Sequence, residues 1–329
     1  MNDAASSGHI GFFASARSGL GHLQRVGNIA SALRCQGFAG RLSLLCNADV
    51  QGLSTNVAQT LDNIRVLDRD DMATEARRIC VTLAVSDMMV VPGLAKVGAR
   101  RVLILREMPG GRLGSFALGP AAWDMVLVPN PADHWAPDLP ADFAKEVVRV
   151  GWIVRQTGRR RPQDKSAGVI LATGGGGTQD TRDRLYPVLS RILERARKQV
   201  TMAVTQALGP RAAGQALSEV DRVIDPGSGL NDVFRCADIV ISTAGYNSVL
   251  ELARTDTPTL LTAIPRSYDD QQARVRQWGP LLGHGLEPDG EDAAADWLID
   301  QVRHPRRRSP VDLGPDGAAE AAAILARLA

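Results

Sequence analysis

A short apolar run that gives way to a glycine-rich loop and then to helix-patterned residues occurs twice in this chain, with a polar stretch between the two occurrences. The first begins at HIGFFAS (9–15), passes through Gly19 and Gly21, and continues with Leu23, Val26, Ile29, Ala30 and Leu33 at helical spacing. RLSLLC (41–46), CVTLAVSD (80–87), RVLILRE (101–107) and DMVLVPN (124–130) read as buried strands, each closed by a polar or proline break. The pattern stops at 151–167, where GWIVRQTGRRRPQDKSA is polar, basic and without periodicity, and reads as a linker. It restarts with GVILAT (168–173) and the loop Gly174, Gly175, Gly176, Gly177. A helix follows with Leu185, Val188, Leu189, Ile192 and Leu193 on one face, and Pro187 in it implies a kink or a late start. QVTMAVT, DRVID, ADIVIST and TPTLLTA are further strands, and 229–236, 246–254, 269–278, 291–302 and 316–328 are helices. Strand, loop, helix, strand is the pattern of a parallel sheet with helices on its faces.

The sequence therefore predicts an α/β protein of two doubly wound, Rossmann-like parallel-sheet domains, 1–155 and 156–329, with a cleft between them. Composition agrees: in 329 residues, 44% hydrophobic and 22% charged, there is enough apolar surface for two cores. A net charge of +2 is too balanced for a protein devoted to nucleic acid. Cys35, Cys46, Cys80 and Cys236 form no CxxC pair, which argues against a zinc knuckle, a redox motif or a disulfide scaffold and suits a reducing compartment. No run of 18 apolar residues is present to span a membrane, and the opening MNDAASSGHIGFFA has neither a basic stretch nor a secretory-length apolar run. The expectation is a cytoplasmic protein. RHPRRR (303–308) reads as a solvated loop rather than an anion patch.

Open α/β sheets bind ligands beyond the carboxyl ends of their strands, so the loops after strands carry the chemistry. In the first, Gly19 and Gly21 allow close backbone approach, and His22 opens a helix whose macrodipole disfavours a further positive charge, which suits a proton acceptor. The alternative is a turn with a capping histidine. No third glycine completes a dinucleotide fingerprint. Gly174, Gly175, Gly176 and Gly177 suit a phosphate-cradling loop or a flexible turn, and without a following GKS or GKT they are not a nucleotide-triphosphatase loop. Thr243, Ala244, Gly245, Tyr246, Asn247 and Ser248 lead from a strand into a helix whose first N–H groups suit a diphosphate, with Glu251 placed to take ribose hydroxyls or to serve as an ordinary helix glutamate. Asp270, Gln271 and Gln272 offer either sugar contacts or an N-cap with its neighbours.

Taken in order, these stretches resemble the GT-B glycosyltransferases, and most closely glycosyltransferase family 28, over most of the chain. Ser18–His22 is similar to the family's GGTGGH loop, and Arg106-Glu107-Met108-Pro109-Gly110-Gly111 to a loop in its first domain. Gly151-Trp152-Ile153-Val154-Arg155 resembles its hinge, and Gly174–Gly177 its donor-domain glycine loop. Ser242 to Glu251 resembles SRAGAxTxxE, with Thr243 where arginine is frequent. Asp270 to Val275 resembles DxQxxNA, with Val275 in place of asparagine. The resemblance implies an inverting transferase that moves a sugar from a nucleotide-sugar, a UDP-sugar and a UDP-N-acetylhexosamine by preference, to an acceptor hydroxyl. It implies His22 and Glu107 as catalytic residues, Gly19, Gly21 and Arg106 on the acceptor side, and the glycine loop, 243–248, Glu251, 270–272 and the backbone of Ile224 on the donor side. It implies no metal and no cofactor, the nucleotide-sugar being a co-substrate. The acceptor, a small molecule or a lipid-linked one, stays open, because 107–119 does not reproduce the lipid-acceptor signature. Met108, Leu113, Phe116 and Leu118 offer peripheral membrane contact or ordinary packing, and packing is the expectation.

Three alternatives remain. Gly19-Leu20-Gly21-His22-Leu23-Gln24-Arg25 also fits the GxGHxxR start of a nucleotide-sugar hydrolase, in which His22 would activate water. A non-catalytic partner subunit of the same fold is disfavoured by His22, Glu251 and Gln272 standing together, and a nicotinamide oxidoreductase by the missing fingerprint.

Overall fold

The computed structural model describes residues 8–15, 20–47, 55–109, 111–117, 122–155, 166–174, 179–209, 212, 215–227 and 229–329. The chain forms two compact units, Met1–Arg155 with Gly314–Ala329, and Gln156–Leu313.

The first unit holds β1 (His9–Ala14), α1 (Gly21–Cys35), β2 (Arg41–Cys46), α2 (Thr55–Thr60), β3 (Asn63–Val66), α3 (Met72–Arg78), β4 (Leu83–Asp87), β5 (Arg100–Ile104), β6 (Met125–Pro129) and β7 (Val147–Val150). Its seven strands are parallel in the order β3-β2-β1-β4-β5-β6-β7. β1 lies inside the sheet and is buried on both faces, so HIGFFA is apolar without alternation. Ile10, Phe12 and Ala14 join the core under α1, and Phe13 joins the core on the opposite face with Met72, Ala76 and Phe116. Ala14 stands level with Asp87, so the strand order reverses between β1 and β4 with both strands ending together.

The second unit holds β8 (Val169–Ala172), α4 (Tyr186–Arg197), β9 (Val204–Ala207), β10 (Arg222–Ile224), α5 (Leu230–Cys236), β11 (Ile239–Thr243), α6 (Tyr246–Ala253), β12 (Thr259–Thr262), α7 (Gln271–Leu282), β13 (Gly283–Gly285) and α8 (Glu291–Arg303). Six parallel strands run β10-β9-β8-β11-β12-β13, and the reversal lies between β8 and β11. A π turn over Thr181–Leu185 precedes α4, and Pro187 occupies its first turn, where the missing N–H costs no hydrogen bond. Among the described residues no helix is long and apolar enough to cross a membrane.

The sequence reading placed 316–328 in the second domain. The last helix, α9 (Gly317–Leu328), instead packs on α1, with Ala318, Ala321, Ala322 and Leu325 in the same core as Ile10, Phe12 and Leu23. Alternation of strands and helices carries no information on which sheet a terminal helix covers. Two glycines seat it. A Cβ on Gly317 would overlap the Gly151 carbonyl, and one on Gly151 would meet Pro315 O at 2.6 Å. The close approach is fixed by Gly317 N–H donating to Trp152 O at 3.2 Å and by Glu320 Oε2 accepting from Gly151 N at 2.6 Å. Gly317→Ala should therefore destabilise the first unit by about 1–3 kcal/mol, the usual cost of overpacking. Thermal unfolding checks it, and an unchanged Tm would show that the backbone yields freely there.

Candidate functional site

In the first unit the loop leaving β1 enters α1, and His22 is the second residue of that helix. Arg25 follows three residues later on the same face. Asp87 closes β4 beside the end of β1 and is fully buried. Arg25 grips it side-on: Nη2 donates to Oδ1 at 2.6 Å, and Nε lies 3.0 Å from Oδ2 and 3.2 Å from Oδ1. His22 Nδ1 is 3.4 Å from Asp87 Oδ1 and 3.3 Å from Arg25 Nη2, with the His22 side chain 20% exposed. Burial pushes the Asp87 carboxyl upward, but the positive charge of Arg25 and the His22 ring outweigh it and hold the group below the ordinary carboxylate range. Nδ1 of His22 is turned toward the Arg25–Asp87 pair.

Sequence reasoning singled out His22 and gave no role to Asp87 or Arg25. The available signal was the acidic residue closing the apolar run CVTLAVSD, one strand over from the glycine loop. Gly21 is the exposed first residue of α1, and Gly19 lies outside the described residues. Arg106 and Glu107 follow β5, the neighbour of β4, and both are buried, with Arg106 Nη1 donating to Glu107 O at 3.2 Å. Met108 and Phe116 are buried in the core and Leu113 packs on it, so these side chains are interior; Gly110 and Leu118 lie outside the described residues.

In the second unit the loops after β8 and β11 stand at the reversal point. Gly174 has φ +93°, a left-handed conformation that favours glycine, and the Cβ it lacks would be 3.7 Å from Thr243 Oγ1. Gly175, Gly176 and Gly177 lie outside the described residues. Thr243 ends β11, and Ala244 N donates to Thr262 O at 2.7 Å, fixing the turn to the neighbouring strand. Gly245 is the N-cap of α6 and brings no side-chain cap, so the first-turn N–H groups of Tyr246, Asn247 and Ser248 precede any intrahelical acceptor. Tyr246 and Glu251 are buried along this helix, while Asn247 and Ser248 are half-buried.

The turn is held from below by Arg274 of α7, which donates to Ala244 O and to Asp269. Asp270 caps α7 through Ala273 N at 2.9 Å, one of the two uses expected for this stretch. Gln271 spends its amide internally: Oε1 accepts from Ile264 N at 3.1 Å and Nε2 donates to Asp269 Oδ2 at 3.1 Å. Gln272 is half-buried, 3.5 Å from Glu287. Ile224 ends β10, and its carbonyl accepts from Leu208 N at 2.9 Å.

From His304 to Arg307 the basic run is the exposed loop its composition suggests, and its charges have partners. Arg306 and His304 pair with Asp300, and Arg307 pairs with Asp238 and Asp256. Arg308 folds onto the end of α6, donating to Leu252 O and Thr257 O, and burial lowers its guanidinium to about 10 against the pull of Asp256. These partners consume the charges. Among the described residues no three His, Cys, Asp or Glu side chains converge to hold a metal ion.

No protein-family model and no curated protein matches the sequence. Solved structures match along nearly all of it. MurG of Acinetobacter baumannii superposes with a TM-score of 0.56 at 14% identity, covering 97% of this chain and 99% of that one. The spinosyn rhamnosyltransferase SpnG, solved with thymidine diphosphate, gives 0.59 at 15% identity over 97% and 95%. A Listeria monocytogenes protein assigned as a UDP-N-acetylglucosamine 2-epimerase gives 0.63 at 11% identity over 95% and 94%. The chain has the GT-B fold, two doubly wound parallel-sheet units.

Proposed function

We infer that the chain is an inverting, metal-independent glycosyltransferase that moves a sugar from a nucleoside-diphosphate sugar to an acceptor hydroxyl. The fold alone does not select this chemistry, since an epimerase shares it with the transferases. The observation that carries the reading is His22 set against a buried Asp87, itself paired with Arg25, at the carboxyl end of the first sheet. A ring with Nδ1–H donating to Asp87 has a bare Nε2, the form a general base needs. Nε2 takes the acceptor hydroxyl proton, the oxygen forms a bond to the anomeric carbon, and the bond from that carbon to the diphosphate oxygen breaks with its electrons leaving on the diphosphate. In the second unit the N–H groups at the start of α6, with the Gly174 loop, would offset that charge without a metal. Glu107, Arg106 and the acceptor-side glycines keep the roles the resemblance implies, while Gln271, committed internally, leaves the sugar contact to Gln272.

His22→Ala should leave UDP binding nearly intact and lower kcat by roughly 10²–10⁴-fold. A variant that keeps more than about a third of wild-type turnover reduces His22 to a cap. The same geometry would serve a hydrolase with water as the nucleophile, and fast release of free sugar from UDP-sugars without an acceptor would identify one. Activity should persist after stripping with EDTA; loss that Mg²⁺ or Mn²⁺ restores would overturn the metal-free reading.

The donor base follows from Glu251, about one turn inside α6 and buried. A carboxylate taking both ribose hydroxyls gains on the order of 1.5–3 kcal/mol per charged hydrogen bond. A deoxyribose loses one of them. UDP-sugars should then be preferred over dTDP-sugars by roughly tenfold or more, and Glu251→Ala should flatten the preference. The thymidine diphosphate in SpnG makes this a live alternative. Competition binding decides it: equal wild-type affinity for UDP and dTDP would remove the ribose role.

A further inference from the structure

His22 Nδ1 lies almost equally far from an acceptor and a donor, Asp87 Oδ1 at 3.4 Å and Arg25 Nη2 at 3.3 Å. One ring nitrogen cannot serve both. With its proton on Nδ1 the ring donates to Asp87 and leaves Nε2 bare. With Nδ1 bare it accepts from Arg25, and its proton sits on Nε2. Arg25 Nη2 carries two hydrogens, one already on Asp87 at 2.6 Å, so the guanidinium can address both partners at once.

We propose that Arg25 is a positioning residue for the base: its charge offsets that of Asp87 at His22 Nδ1, so the ring can both take a proton and give it up. This rests on the general-base reading of His22. Asp87 alone, an anion buried beside Nδ1, would hold the imidazolium after each turnover. Arg25 alone would hold Nδ1 as an acceptor and put the proton on Nε2, where no base can act. The pair satisfies each other's charge inside the fold and presents the ring with little net field.

The other charged groups on the elements packed against α1 and β4 are placed differently. α1 itself ends with Arg34, bonded to Asp62, and α2 carries none. β1 contributes His9, whose ring is bonded to Ile79 O and Ser43 Oγ at the strand's amino end. α9 contributes Glu320, bonded to Gly151 N, and Arg327. β5 contributes Arg100 and Arg101 at its amino end, and Arg106 and Glu107 follow its carboxyl end.

The test is an NMR pH titration of the His22 ring in the full, histidine-labelled chain, which has five histidines, the signal being assigned by its loss in His22→Ala. Arg25→Gln should move the midpoint up by about one pH unit or more, and Asp87→Asn should move it down by about as much. The double variant Arg25→Gln/Asp87→Asn should return it to within about half a unit of wild type, because the two charges cancel. A single variant that leaves one buried charge unpaired risks unfolding; where one of the two does, the other is read against the double variant, which leaves no charge unpaired and from which it should differ by about a unit. Midpoints that move together or stay put, or a double variant displaced by about a unit, would overturn the proposal. The titration needs no substrate, so an active His22→Ala enzyme would sink the general-base reading and leave this result standing.

Discussion

A parallel strand cannot be joined to its neighbour by a hairpin; each must be followed by a crossover that returns the chain to the same end of the sheet. That constraint governs both units. It puts helices on the sheet faces, buries strands such as HIGFFA on both sides, and gathers every strand-to-helix loop at one edge. The winding reverses between β1 and β4 and again between β8 and β11, the points at which doubly wound sheets in general offer a crevice to a ligand. The candidate residues, His22 with Asp87 and the head of α6, stand at those two points.

The two points are furnished differently. In the first unit the groups are ionisable side chains: a histidine, a buried aspartate and the arginine that compensates it. In the second they are backbone N–H groups at the head of α6, with a buried arginine, Arg274, spent on holding the turn through Ala244 O. Proton transfer needs groups whose charge changes, and holding an anion needs dipoles whose orientation does not. The division of chemistry proposed for the two units rests on what each kind of group can do.

Much of this was legible from the sequence. The buried strands β1, β2, β4, β6, β8, β11 and β12 announce themselves as apolar runs, because burial on both faces removes polar residues. The short edge strands β3, β7 and β13 did not, since one side of each meets solvent and their residues, such as Val66 and Val147, are exposed. His22 could be picked out by its place after a glycine loop. Asp87 showed only as the acid closing an apolar run, because its partnership depends on which strands become neighbours, and 62 residues separate it from Arg25. Gln271 misled for a related reason: an amide reads the same in sequence whether it faces a sugar or the backbone of Ile264.

The return of α9 to the first unit bears on how the protein is made. During synthesis the first sheet emerges early, yet the face of α1 that Ala318, Ala321, Ala322 and Leu325 will cover stays bare until the second unit has been translated. The second unit, bounded by Gln156 and Leu313, is continuous and can close its core before the first one can. The order of completion is thus the reverse of the order of appearance. The nascent chain carries an exposed apolar stripe while the second unit is being made, and α9, which follows that unit, removes it.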